Sequence, residues 1–424
     1  DEGAVQVQVA GMDESEGQAC SPCATRVFAA SATVKGPSGS KWWARRHSGP
    51  LCHTGGTSST EHERARGRWA AAATQMGVWM TTTAAQWTAT DLGSMPGLGH
   101  DRPRGGAEIK SELEPGLAVV RYLYDNSRVD ARWSVLQERG YTWWADGLAQ
   151  RVWSEPAFDD DGIEIYRLFV ETDLIRGVSM TEAAARAVDE MNGLSAGSVL
   201  VVDGDAATVR SVASMWVHEQ SLEWVARSLS VIGAAQVAMA QDQATALVPL
   251  LGGELALSSH PESGIRPQPD EMLGVLELVR MNGREGSLWA GDEMTFTLEQ
   301  MQSVPAVTLA TGDETGVTME VPFDDATALI QLDTTWEHPD LGAGLVSRLS
   351  LPRASAGPRW AAEQNRLELE SLTRSHLVGG WVSDSQFPSF RAFHPNILAN
   401  TGFAAANVAL SMIGRARWMA EADL

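Results

Sequence analysis

Apolar and polar positions follow a regular pattern only from about residue 129 onward. Up to about residue 79 the chain is Gly, Ser, Ala, Arg and scattered Trp, with neither the 3.6-residue period of a helix nor the two-residue period of a strand. Residues 80–129 read as linker, rich in Thr, Gly and Pro as far as Gly106, with one apolar stretch at 117–123 that is expected to dock on the elements C-terminal to it. The pattern then predicts a helix over 130–138, presenting Trp133, Val135 and Leu136 and stopped by Gly140. Three strands come next at 141–145, 148–154 and 163–170, separated by Asp146-Gly147 and by Asp160, Asp161 and Gly162. A second helix is predicted over 181–192, with Glu182 early and Gly193 as its stop. Strands 198–202 and 207–217 flank the turn Asp203-Gly204-Asp205. A long helix from 220 to about 242 closes the unit, with Leu222, Val225, Leu229 and Ile232 on one face.

The same order recurs 181 residues later, and that shift aligns residues 163–242 with 344–423 without a gap. Twelve of the 80 positions are identical, and they fall at structural landmarks. Arg167 and Leu168 meet Arg348 and Leu349, Glu182 meets Glu363, Asp203 meets Asp384, and Arg210 meets Arg391. In the closing helix Leu229, Ser230, Ile232, Gly233 and Ala235 match Leu410, Ser411, Ile413, Gly414 and Ala416. The fold class read from this is α+β: tandem duplicated α-β-β-β-α-β-β-α units, their antiparallel sheets packed by helices, behind an N-terminal extension of low order. Two segments compete to open the second copy, 271–280 and 298–303, with Pro267 and Pro269 marking a boundary before the first. The division is 1–79 extension, 80–129 linker and docking segment, 130–243 first repeat, 244–297 linker with a helix, and 298–424 second repeat. A glycine inside a helix costs about 1 kcal/mol relative to alanine. Gly233 and Gly414 therefore point to close backbone approach, either to each copy's own sheet or to the other copy or a partner.

Composition divides the chain at the same place. All three cysteines (Cys20, Cys23, Cys52) and all three lysines (Lys35, Lys41, Lys110) lie in the first 110 residues. That part has 11 Lys plus Arg against 10 acids, whereas residues 111–424 have 21 Arg against 44 acids, so the whole net charge of −22 belongs to the second part. Such a surface argues against nucleic acid, which needs basic residues to release counterions, and favours basic partners. No run of eighteen apolar residues appears and the chain does not open with a charged and then apolar leader, so a soluble cytoplasmic protein is expected, with no membrane partner. Met80, followed by Thr81, Thr82 and Thr83, reads as the native start, with residues 1–79 an upstream extension translated from noncoding sequence; the alternative is a natural disordered tail.

An α-β-β-β-α-β-β-α order in a small acidic unit resembles the type III secretion chaperones and the related YbjN-like domains, grouped as peptide-binding chaperones. The resemblance is one of topology and covers residues 130–243 and about 298–424. It implies a non-enzymatic protein that binds extended or partly unfolded segments of a polypeptide client, basic here if charge decides, usually as a dimer of such units. Two copies in one chain form an intramolecular pseudodimer on this reading, with a homodimer as a further arrangement. No cofactor or metal is implied.

The residues suit that expectation. In strand 163–170, Ile165, Arg167 and Phe169 point one way and Tyr166, Leu168 and Val170 the other, so both faces are largely apolar. Arg210 shares a face with Val212, Ser214 and Trp216, and Arg391 with Phe393, Pro395 and Ile397. The candidate peptide-binding residues are thus Arg167, Phe169, Arg210, Trp216, Arg348, Arg391 and Phe393, arginines set among apolar anchors to take client carboxylate or carbonyl groups. An internal salt bridge to Glu164, Glu171 or a neighbouring strand is the competing role for such arginines.

Other chemistries find less support in the residues. Gly193-Leu194-Ser195-Ala196-Gly197 matches G-x-S-x-G, with His218 or His376 as conceivable bases, but a helix precedes and a strand comes after, the reverse of a nucleophile elbow. Cys20 and Cys23 with Cys52 and His47 or His53 make a poor zinc set, because Cys52 and His53 are adjacent. The acidic turns at 159–161, 203–205, 313–314 and 324–325 lack the EF-hand pattern. The absence of lysine after Lys110 removes Schiff-base and Walker lysines. A ligand-sensing or scaffold module is the third function class. The reading of Met80 predicts an intact mass for native protein that lacks residues 1–79; a mass that includes Cys20 overturns it.

Overall fold

In the computed structural model the described residues are 109 and 112–421, apart from 161, 354–356, 372–374, 385–386, 400 and 402–403. The readings of Met80 and of the cysteine and histidine set before residue 54 lie outside them. Two antiparallel sheets and eight helices make up the described part, an α+β architecture. The first set of elements runs α1 (Pro115–Asn126), β1 (Ser134–Gln137), β2 (Gly140–Trp144), β3 (Ala149–Ser154), β4 (Phe158–Asp160), β5 (Ile163–Arg176), α2 (Glu182–Asn192), β6 (Val199–Asp203), β7 (Thr208–Val217), α3 (Leu222–Leu251) and β8 (Glu254–Leu255). After α4 (Val275–Asn282), the second runs α5 (Asp292–Gln302), β9 (Leu309–Asp313), β10 (Gly316–Phe323), β11 (Ala326–Asp333), β12 (Glu337–His338), β13 (Gly342–Ser350), α6 (Gly357–Glu370), β14 (Gly380–Val382), β15 (Ser389–Pro395), α7 (Asn396–Ala399) and α8 (Ala405–Glu421).

The first sheet is ordered β1-β2-β3-β5-β7-β6, with β4 and β8 also on β5; the second is ordered β9-β10-β11-β13-β15-β14, with β12 on β13. The order is the same in both. In each, a four-stranded meander (β1-β2-β3-β5 and β9-β10-β11-β13), one strand more than the three expected, is followed by a helix, and the returning hairpin slots its second strand beside the meander.

The helix expected over 130–138 is replaced by one 3-10 turn, Ala131–Trp133, and by strand β1. Asp130 caps the start of that turn by accepting a hydrogen bond from the Arg132 backbone N–H at 2.9 Å. Gly140 does not stop a helix: it lies in β2, where a Cβ would collide with the Val152 carbonyl. The opening helix is instead α1, which starts on Pro115 and buries Ala118, Val119, Val120, Tyr122 and Leu123, so the apolar stretch at 117–123 belongs to the repeat itself. Of the two segments competing to open the second copy, α5 takes the place of α1, packing on α8 just before β9; the other forms α4 and packs on α3. Helix α3 runs on to Leu251, past the expected end, and keeps Val225, Leu229 and Ile232 buried. Gly233 lies against Val170 of the helix's own sheet, and its carbonyl accepts from Gln150 Nε2 at 2.8 Å. Among the described residues no helix is long and apolar enough to cross a membrane.

The two sheets are joined by exchange. Helix α2 packs on β14 and α6 on β6, and the two helices pack on each other. Asp189 of α2 accepts from the Ser383 backbone N–H at 2.7 Å and from its hydroxyl at 2.5 Å. Ser214 of β7 forms an isolated antiparallel bridge with Leu377. At the centre of this junction Arg415 Nε donates to Glu368 Oε1 at 2.8 Å, Trp381 Nε1 donates to Oε2 at 2.7 Å, and both ionised groups are fully buried. The Arg415 guanidinium also lies 3.6 Å from the centre of the Phe390 ring and donates to the His376 carbonyl at 2.9 Å. From the first repeat, Trp216 N–H donates to His376 Nδ1 at 3.1 Å.

Removing one partner of a buried ion pair leaves the other charge uncompensated, so Glu368→Ala is expected to cost about 3–5 kcal/mol in urea denaturation. His376 and His394 are both fully enclosed, and burial holds each imidazole down to about 3, helped at His376 by Arg415 and His218. A lowered histidine favours the neutral form in the folded state; its contribution is full above the unfolded value near 6.5 and is lost as pH falls toward 3. Each imidazole then removes up to about 1.4 kcal/mol per pH unit. His376→Asn, which retains an acceptor for Trp216, is expected to flatten the stability profile between pH 6.5 and 4; a profile parallel to wild type would show that His376 does not titrate there.

Candidate functional site

The strand register builds a cleft floor on the second sheet. One row crosses it through Thr311, Thr318, Gln331, Arg348 and Arg391, each the ladder partner of the next; the adjoining row is Asp313, Gly316, Asp333, Val346 and Phe393. Side chains alternate along a strand, so Val317, Ile330, Leu332, Leu349 and Phe390, one residue away, point into the core beneath α8, and the two rows face the other way. Over these rows lies a cleft of about 580 Å³.

Its side wall comes partly from the other repeat. Gly193 and Leu194, in the loop after α2, line the cleft together with Trp336. His338 fixes that wall: its Nδ1 accepts from the backbone N–H groups of Asp340 (3.1 Å) and Leu341 (3.2 Å), which leaves the ring proton on Nε2 to donate to the Leu194 carbonyl at 2.9 Å. Burial pushes the His338 pKa below the ordinary imidazole value and keeps this neutral tautomer. Phe393 N–H donates to the Ser195 carbonyl at 2.9 Å, binding the same loop to β15. Trp336, 36 % exposed, packs edge-on against Phe393 at 5.7 Å and against His338 at 6.0 Å.

Charge is divided across the floor. On the β9–β11 side Asp313 and Asp333 each accept from a threonine two residues on, Thr315 and Thr335, through backbone N–H and hydroxyl at 2.7 Å. Those hydrogen bonds from Thr315 hold the Asp313 carboxyl below its ordinary value. On the β13–β15 side Arg348 and Arg391 face each other and both donate to one oxygen of Asp384, at 2.5 and 2.6 Å. Asp384 is the only side-chain hydrogen-bond partner of either arginine among the described residues, and both Nε atoms are buried without an acceptor. Burial, together with the like charge of Arg391, lowers the Arg348 pKa.

Of the seven candidate residues read from the sequence, Arg348, Arg391 and Phe393 line this cleft. The other four are placed elsewhere. Arg167, only 3 % exposed, donates from Nε to Ser214 Oγ (3.0 Å) and from its two terminal nitrogens to the carbonyls of Ser371 (2.9 Å) and Glu368 (3.0 Å), so it joins the repeats instead of facing a client. Phe169 is buried and stacks on Trp153 with ring centres 4.8 Å apart, and the guanidinium of Arg167 lies over Phe169 and Trp216. Trp216 is buried beside it. Arg210 is taken up by carboxylates: it pairs with Asp203 and lies 3.7 Å from Asp173 and 3.8 Å from Glu171, while Arg151 pairs with Glu171 and, at 3.0 Å, with Asp173. Leu194, Trp336, Asp313 and Asp333 were not among the candidates. The alternation of Gln331 and Asp333 with Ile330 and Leu332 was the available signal for the polar face of β11.

Ser195 lies after a helix and before a strand, and its buried hydroxyl has no hydrogen-bond partner among the described residues. The strand-to-helix turn that strains and exposes a nucleophilic serine is therefore missing at this position. Among the described residues no group of His, Cys, Asp and Glu is arranged to hold a metal ion. Comparison of the chain with protein-family models, with curated proteins and with solved structures finds no match.

Proposed function

We propose that the chain is a non-enzymatic, chaperone-like protein that holds an extended segment of a polypeptide client in the cleft over the second sheet. The observation that carries this reading is the floor itself: two rows of outward residues with aromatic and aliphatic groups along one wall and opposite charges on its two sides. Crossing from β9 to β15 spans four interstrand steps, about 19 Å, which is the length of about six extended residues. Trp336 and Leu194 offer apolar contact to such a segment, and Arg348 and Arg391 offer donors. Asp313 and Asp333 suit a basic residue on it, in keeping with the acidity of residues 111–424. The two sheets share one order of elements, which differs by one added meander strand from the order on which the resemblance to the secretion chaperones and YbjN-like domains rests.

A second reading, a small-ligand sensor, is favoured by one observation, the cleft volume of about 580 Å³, which falls within the usual range for small-molecule sites. The two part on what stabilises the protein, because only a ligand of the native state raises its melting temperature. Selection of a randomised displayed decapeptide library on the full chain is expected to enrich sequences that bind the cleft. Trp336→Ala is expected to weaken those peptides roughly tenfold with little change in melting temperature, as for an exposed aromatic anchor. A library that yields no binder, or binders indifferent to Trp336→Ala, would overturn the reading.

A further inference from the structure

The two sheets carry the same strand order but different charges at corresponding places, and the difference points to what the cleft binds. Arg210 on β7 and Arg391 on β15 correspond, each paired with the aspartate seven residues before it, Asp203 and Asp384. Opposite Arg210 in the ladder stands Asp173; opposite Arg391 stands Arg348. Two residues along, opposite Val212, stands Glu171; the corresponding place opposite Phe393 is Val346. In the first sheet two arginines, Arg151 and Arg210, are thus surrounded by three carboxylates. In the second sheet two arginines share the single carboxylate of Asp384, because valine stands at one of the acidic places and arginine at the other.

We infer that the cleft takes a carboxylate from its ligand, seated beside Arg348 and Arg391 where the first sheet supplies its own Asp173 and Glu171. This rests on the cleft being a binding site and names the chemistry of the group it recognises. The two guanidiniums, 29 % and 33 % exposed, border the cleft, and each donates through one terminal nitrogen to one oxygen of Asp384, its only side-chain partner among the described residues, which leaves the other terminal nitrogen to meet a carboxylate. Val346 and Phe393 beside them carry no side-chain acceptor to compete for the pair. In a chain of net charge −22, two facing arginines that pair with one aspartate are not a by-product of composition. The source of the carboxylate is an acidic side chain or terminus of the bound polypeptide; a free small carboxylate shares the chemistry and is separated from it by experiment.

The test uses Arg348→Asp, which rebuilds in the second sheet the pairing of Asp173 with Arg210. That variant is expected to fold, with a melting temperature equal to or above wild type, and to lose the ligand. From the displayed decapeptide library, peptides enriched on wild type are expected to carry Asp or Glu at a fixed position. Changing that residue to Gln or Asn, or changing the protein by Arg348→Asp, is expected to weaken binding at least roughly tenfold, as for loss of a charge-assisted contact. Glutarate and inorganic phosphate are assayed alongside by thermal shift. If the amide twins bind as tightly as the acids, or Arg348→Asp binds them as wild type does, the carboxylate inference falls while the polypeptide reading stands. If no peptide is enriched but glutarate raises the melting temperature of wild type and not of Arg348→Asp, the carboxylate site stands and the polypeptide reading falls. Protection by phosphate without protection by glutarate, or a library with neither acid preference nor glutarate effect, overturns the inference.

Discussion

The buried pair of Arg415 and Glu368 is the constraint around which the two halves are arranged. A charge withdrawn from water is tolerated only when its remaining hydrogen-bonding positions are filled, and here every neighbour is chosen to fill them. Trp381 takes the second oxygen of Glu368, the His376 carbonyl takes a second donor of Arg415, and the ring of Phe390 covers the guanidinium face. The same cluster reaches the other repeat through its backbone and neighbours. The Glu368 carbonyl accepts from Arg167, and the His376 ring accepts from Trp216. Packing of an α+β half against its twin is thereby tied to one polar arrangement, where an all-apolar junction would permit several registers.

Duplication supplies the frame, and departure from it supplies the site. Both sheets place an arginine and an aspartate at the same spacing on the closing hairpin, and both leave one face of the sheet free of its own long helix. In the first sheet that face is spent on an internal network of five charged groups and on the inter-repeat contacts of Arg167. In the second it is open, walled by a loop of the first repeat and charged unequally across its width. One copy has become support and the other presents a surface.

The repeat was legible in the sequence because the landmarks that define it are local: turn residues between strands, and an apolar stripe on a long helix at 222, 225, 229 and 232. What was not legible depended on register. The uniform shift of 181 sets Arg348 on Arg167 and would place it opposite Ile397, since Arg167 stands opposite Trp216; the ladder places it opposite Arg391 instead. The reason is that 37 positions separate Asp173 from its ladder partner Arg210 whereas 43 separate Arg348 from Arg391, so a uniform shift misplaces the earlier strand by six residues. Matching arginines in the sequence therefore do different work in space. The segment 130–138 failed for another reason: Trp133, Val135 and Leu136 fit a short helix or a strand equally, and the antiparallel pairing of 134–137 with 140–143 decides for the strand. Leu194 was invisible as a site residue because its role comes from a hydrogen bond to His338, 144 positions away.

The contact between Leu194 and His338 also sets an order on how the protein is made. The wall of the cleft leaves the ribosome with Leu194, but the floor is finished only when Phe393 emerges, about 200 residues later. At common rates of synthesis, roughly 5–20 residues per second, the interval is about 10–40 s. Once β7 is complete at Val217, early in that interval, the first repeat has strands β1 to β7 of its own sheet and its internal charge network in hand, while the surface that would recognise another polypeptide does not yet exist. A nascent chain is thus unable to seize its own later segments, or those of a neighbouring chain, before its two halves have closed on each other.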